Sequence, residues 1–191
     1  MKTRIVAPTS NARPAPPITP EWLERVALFY LDRYSATQEM LRRVLARRVA
    51  KRARARDEDP GSHAELIAEI VTRAVRAGLV DDARFTAARL ATLRRRGAST
   101  RGAGAALAAK GVDRALVEAA LAAEQDATED ESVIESDAAR AYARRRRLGP
   151  HRRGETRAAY RERDLAAMAR AGFSYPVAKA VIDATDEDLE A

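Results

Sequence analysis

Apolar positions recur along the chain with the period of an α-helix, in three matching groups. Leu66-Ile67 with Ile70-Val71, Leu116-Val117 with Ala120-Leu121, and Val177-Ala178 with Val181-Ile182 each place a doublet and its i+4 copy on one helix face. The doublets begin 50 and then 61 residues apart, a spacing that suits a three-helix unit used in tandem. Gly111-Val112 and Gly172-Phe173 precede the last two at the same offset, with Leu107 and Met168 four residues before each glycine. That is the sequence form of a helix stopping at a left-handed glycine and folding the next apolar residue back onto its last turn. Asp113 and Ser174 follow as N-caps of the next helix, and Val112 can staple onto Val117.

The same punctuation divides the rest of the chain. Unit one, residues 21–78, opens after Pro20 with Trp22, Leu23, Val26, Ala27, Phe29, Tyr30, Leu31 and Tyr34 on a broad apolar arc that predicts a deeply buried helix. Ser35 with Gln38 predicts a capping box before Met40, Leu41, Val44 and Leu45, and Ser62 with Glu65 predicts another before the helix that ends at Gly78. Unit two, residues 79–125, starts with Asp81 as N-cap, which puts Val80 and Phe85 at the two positions of a hydrophobic staple and makes Phe85 the expected main anchor. Its first helix should stop at Gly97, its second run from Ser99 or Thr100 to Gly111, and its third from Asp113 to about Gln125. Unit three, residues 126–185, has a long helix through Tyr142, a break at Gly149-Pro150, and helices over about 157–171 and 174–184. Residues 1–20 read as a disordered proline-rich tail and 186–191 as an acidic, frayed end. The predicted fold is all-α, a modular rod of three three-helix repeats.

Composition agrees, since alanine fills 43 of the 191 positions and β-branched and aromatic residues are too few for a sheet core. Cysteine is absent, and neither an apolar leader nor a bilayer-length apolar run occurs, so a cytoplasmic protein without a membrane partner is expected. The net charge of +7 is carried by 31 Arg and only 4 Lys, in blocks. Arg42, Arg43, Arg47, Arg48, Lys51, Arg52, Arg54 and Arg56 form the first, Arg94, Arg95, Arg96 and Arg101 the second, and Arg144, Arg145, Arg146, Arg147, Arg152, Arg153 and Arg157 the third. An acidic stretch, Glu124 to Asp137, separates the last two. Guanidinium forks suit phosphates and carboxylates alike, so these blocks are candidate contacts to nucleic acid or to an acidic protein, weighed against an ordinary solvated helix face. Catalytic signals are weak. His63 and His151 lack a companion at ligand spacing, Gly102-Ala103-Gly104 follows no strand, and Asp81-Asp82 is accounted for by capping. No catalytic, cofactor or metal site is therefore expected.

Gly78-Leu79-Val80-Asp81-Asp82-Ala83-Arg84-Phe85-Thr86, followed by Arg95-Arg96-Gly97 and by Leu107-Ala108-Ala109-Lys110-Gly111-Val112-Asp113, resembles the central signature of the RecX family of regulators of the RecA recombinase. Ala27-Leu28-Phe29-Tyr30-Leu31 with Ser35, Leu41 and Leu45 resembles the family's first repeat, and Arg170-Ala171-Gly172-Phe173-Ser174 its third. The resemblance runs from about Leu23 to Ile182, with Asp81, Asp82, Phe85, Gly111, Gly172 and Phe173 as its structural signature. The departure lies in unit one, where Arg47-Arg48-Val49 lacks the expected glycine and leads into a basic insertion. The resemblance implies an elongated, curved stack that lodges as a monomer in the groove of the RecA filament on single-stranded DNA. It also implies inhibition of ATP hydrolysis and strand exchange, with duplex DNA as a weaker partner. A different class stays open: three-helix units with basic faces also describe helix-turn-helix proteins that bind duplex DNA without a recombinase. A structural adaptor is the third reading.

Overall fold

The computed structural model describes residues 15–127, 131–152 and 157–185. Expectations for the first fourteen residues, Glu129, Asp130, Arg153 and the acidic end after Thr185 lie outside the described residues. Among those described there are nine α-helices and no strand, so the chain is all-helical: α1 Pro20–Leu31, α2 Gln38–Arg54, α3 Ala64–Arg76, α4 Asp82–Arg95, α5 Thr100–Ala109, α6 Arg114–Asp126, α7 Glu131–Arg146, α8 Arg157–Arg170 and α9 Tyr175–Asp183. They form two compact units. The first takes residues up to Tyr34 together with Leu41–Leu79, and the second takes Ser35–Met40 with everything from Val80.

In the first unit α1 packs on α3. Leu23 and Ala27 of α1 and Ile67, Ile70, Val71 and Ala74 of α3 are buried, together with Leu41, Leu45, Val49 and Ala53 at successive i+4 positions of α2. That single seam leaves the other faces of α2 to its arginines. The broad arc expected for α1 is narrower than its sequence suggests: Phe29 and Tyr34 are each 58% exposed. α1 has two buried residues facing α3, and an α-helix cannot turn its whole circumference toward one partner.

The second unit has two cores. Leu90, Ala103, Leu107, Val112 and Val117 from α4 to α6 make one, with Phe85, Leu116 and Leu121 around it. Ala138, Ala139, Ala143, Leu148, Leu165, Met168, Phe173, Ala178, Val181 and Ile182 make the other. Phe85 is only half-buried, so Leu107 and not Phe85 is the central side chain of the first core. The three doublets thus supply core residues from α3, α6 and α9.

Helix ends follow one rule. Gly78, Gly97, Gly111 and Gly172 have φ of 68°, 75°, 76° and 99°. In each case the next residue's N–H reaches five residues back, as Leu79 to Ala74 O at 3.0 Å and Phe173 to Met168 O at 3.2 Å. This is the Schellman arrangement. Asp57 and Arg147 occupy the same left-handed position without being glycine, with φ of 56° and 55°, and the bonds Glu58 N–H to Ala53 O and Leu148 N–H to Ala143 O complete the motif. Gly97 is required for a second reason: a Cβ there would stand 2.3 Å from the backbone nitrogen of Tyr142 and 2.7 Å from the oxygen of Ala138, so α7 lies directly on the end of α4.

Caps were harder to read. Asp81, Ser99 and Asp113 accept from the N–H groups of Arg84, Gly102 and Ala115 at 2.9, 3.0 and 2.9 Å, as their positions predict. The cap of α2, however, is Thr37 and not Ser35: the Met40 N–H donates to Thr37 Oγ1 at 3.1 Å, while the same hydroxyl donates to the Lys110 carbonyl at 2.7 Å. Asp82, read as a capping partner of its own helix, instead accepts the Gln38 N–H at 2.9 Å. Ser62 does not cap α3 but donates to Asp59 O at 2.7 Å within a short 3-10 turn, and Ser174 makes no side-chain cap at α9.

Candidate interaction surface

Each arginine block divides into solvated side chains and side chains used inside the fold. On α2, Arg42, Arg43, Arg47, Arg48, Lys51 and Arg54 are exposed. Arg52 is half-buried: its guanidinium lies 3.7 Å over the Trp22 ring and donates to the Pro17 carbonyl at 3.3 Å. Burial, and then the neighbouring charges of Arg56 and Arg25, push its pKa below the ordinary guanidinium value. Arg56 binds Glu58 at 2.6 Å and the Ala15 carbonyl, so the segment before α1 is tied across the basic end of α2.

In the second block Arg94 is almost wholly consumed. From the last turn of α4 it binds Glu124 of α6 at 2.7 Å, Glu135 of α7 at 3.4 Å, the Thr100 hydroxyl at 3.0 Å and the Ala98 carbonyl at 3.0 Å. Glu135 also accepts from the Thr100 N–H and hydroxyl at 2.9 and 2.7 Å. The acidic stretch between the second and third blocks is therefore partly the counter-charge of this one arginine. Arg95, Arg96 and Arg101 are exposed.

The third block splits likewise. Arg144, Arg145, Arg146 and Arg147 are exposed at the C-terminal turn of α7, where cations favour the helix dipole. Since Gly97 rests on Ala138 and Tyr142, this run follows within about 8 Å along α7 from the contact that also carries Arg96. Arg152 instead clamps Asp164, which is 1% exposed, through bonds of 2.8 and 2.5 Å, and the Gly149 N–H adds a third at 2.8 Å. Burial pushes the Asp164 carboxyl up, but Arg152 and the Gly149 N–H outweigh it and hold the group below the usual carboxylate range. His151 is shifted down by burial and by Arg144. Arg157 donates to the carbonyls of Ile182 and Ala184.

One feature of the first unit was not foreseen as a site. Trp22, Phe29, Tyr30 and Tyr34 line a groove of about 500 Å3 together with Arg25, Arg33 and Arg48. The available signal was arginine interleaved with aromatic residues along α1, which the apolar arc absorbed as core.

No family model matches the chain, and no solved structure matches it. Among curated proteins it is similar to the Regulatory protein RecX of Myxococcus xanthus, 43% identical over 167 residues that cover 87% of each chain. It is also similar to the Regulatory protein RecX of Agrobacterium fabrum, 31% identical over 171 residues, 88% of this chain and 86% of the other. With such identity sustained over most of both partners, the chain belongs to the RecX family of regulatory proteins.

Proposed function

We propose that this RecX protein binds the RecA filament on single-stranded DNA and restrains its ATPase, strand exchange and repair activity, acting as a cytoplasmic monomer and not as an enzyme. Membership of a regulator family supports the regulatory part. The observation that carries the contact is the solvated run Arg144–Arg147, four guanidinium groups at one helix end, with Arg95, Arg96 and Arg101 in the same unit. A filament of recombinase and DNA offers both carboxylates and phosphates to such groups. The same reading arranges the helices as three three-helix repeats, 21–78, 79–125 and 126–185, in an elongated, curved stack. Repeated shallow faces of that kind track a repeating partner. Four glycine stops of one geometry support it.

The test is the DNA-dependent ATPase and strand-exchange activity of the cognate RecA titrated with this protein. The expected result is a saturable loss of both. Unchanged activity, together with sequence-selective binding to duplex DNA without recombinase, would replace this reading with the helix-turn-helix one.

A further inference from the structure

We propose that the aromatic groove on the first unit is a binding site for single-stranded nucleic acid, gripping unpaired bases by stacking and phosphates by arginine. It goes beyond the filament reading because it requires no recombinase.

The groove concentrates flat side chains. Four of the chain's nine aromatic residues line it, Trp22, Phe29, Tyr30 and Tyr34, and two of these are more than half exposed. In a chain so poor in aromatics, an exposed phenylalanine and tyrosine on one face cost hydrophobic burial without any return in core packing. The rings are also held in order: Tyr30 and Tyr34 lie 5.2 Å apart, and Arg33 sits 3.8 Å over Phe29. Trp22 is braced from α2 by Arg52. Trp22 and Phe29 are two helical turns apart, about 10 Å along α1.

Charge selects the occupant. Arg25, Arg33 and Arg48 line the groove, and among the described residues no Asp or Glu does. Aromatic and arginine side chains also serve protein interfaces, so it is the lack of any carboxylate beside them that favours a polyanion here. The second groove of the same unit, of about 390 Å3, is lined by Leu28, Leu31, Ile70 and Leu79, with Arg73, Arg76 and the carboxylate of Glu24 beside them. The aromatic groove differs from it in its planes and in having no carboxylate among its cations, with Val26 and Val44 as its aliphatic surface. Unpaired nucleic acid is the polyanion with flat apolar faces, and stacking on such a platform tolerates any base sequence. In a duplex the bases are already stacked on one another and only their edges are offered, so single strands should be preferred.

Trp22 is the sole tryptophan, which supplies a built-in reporter. The full chain is titrated with dye-labelled oligothymidylate, without recombinase, by anisotropy and by tryptophan emission, and a duplex of equal length serves as the comparison. The expected result is quenching that tracks binding, preference for the single strand, and loss of about 5- to 150-fold in affinity for each of Phe29→Ala and Tyr34→Ala. Phe29→Trp should retain binding where Phe29→Leu does not, which separates stacking from mere apolarity. Arg48→Gln should reduce the slope of log affinity against log salt by about 0.7. Far-UV circular dichroism checks that each variant is folded. Equal binding by the Trp and Leu variants, unchanged Trp22 emission on saturation, or preference for the duplex overturns the site. A Phe29→Ala or Tyr34→Ala variant that loses the wild type's RecA inhibition while keeping its oligothymidylate affinity overturns it too, because the groove then takes a protein segment. Failure of the RecA assay with oligothymidylate binding intact would remove the filament reading and leave this one standing.

Discussion

At the residue scale, the largest departures from expectation are residues in runs that look functional whose backbone or side chain also serves the fold. Arg147 belongs to a run of four arginines, yet its backbone holds the left-handed conformation that glycine holds at four other helix ends. A non-glycine residue there carries a cost of about 1 kcal/mol. Arg147→Gly and Asp57→Gly should therefore each stabilise the fold by up to about 0.5 kcal/mol in urea titrations, the rest of the gain being offset by the freedom glycine adds to the unfolded chain. Asp164 makes the opposite prediction. Removing the carboxylate strands Arg152 and the Gly149 N–H, so Asp164→Ala should cost about 3 kcal/mol. Its native pKa is depressed, so the stabilisation is present above the free-carboxylate value of about 3.9 and is lost as pH falls through the lower native value. His151, also shifted down, acts in the same direction at higher pH: the unfolded chain takes up its proton first, and stability declines as pH drops below about 6.5. Acid titration of the wild type against Asp164→Asn should show a steeper decline below pH 4 in the wild type.

At the element scale, glycine positions separate two effects that sequence alone merges. Gly78 and Gly97 both end helices with positive φ, but a Cβ at Gly78 meets nothing within 4 Å while one at Gly97 collides with the backbone of α7. Gly78→Ala should cost only its conformational penalty, about 1 kcal/mol, whereas Gly97→Ala should cost about 3 kcal/mol or more, since a backbone cannot yield as a side chain does. Thermal or urea melts of the pair measure the difference. Helix stops were legible because the Schellman signal is local: a glycine, an apolar follower and an apolar residue five back are all in the sequence. The cap of α2 was not, because it is decided elsewhere. Ser35 and Gln38 have the right spacing, but Asp82 takes the Gln38 N–H and the Lys110 carbonyl takes the Thr37 hydroxyl, so tertiary bonds outbid the local pattern. The exposure of Phe29 was hidden for a related reason, since an apolar arc does not say how much of it a neighbour covers.

At the scale of the whole molecule, charge is read best after its internal partners are subtracted. The reversal Arg144, Arg145 and Arg146 to Glu targets exposed positions at the end of α7, on a helix other than the one that carries Val177 and Val181. Helical content should be unchanged, while inhibition of strand exchange by RecA should weaken at least several-fold, and more at low salt than at high. Inhibition equal to the wild type across salt would assign these arginines to an ordinary solvated face. The fourteen arginines proposed from the sequence were legible as blocks but not as individuals, because a run of one residue type carries no mark of which members face a carboxylate. Arg94 and Arg152 are spent inside the fold, and Arg153 lies outside the described residues.

The Arg94 junction has a further implication, for how the chain tolerates change. One guanidinium there satisfies two carboxylates, a hydroxyl and a carbonyl on four different segments, which a planar five-donor fork can do and a single ammonium cannot. Lysine keeps the charge at every arginine, so replacing them one by one with lysine would leave the solvated sites nearly silent and register at Arg94 and Arg152 as lost stability. Such a scan would sort an arginine-rich chain into residues kept for their shape and residues kept for their sign, a distinction that neither net charge nor the spacing of the blocks contains.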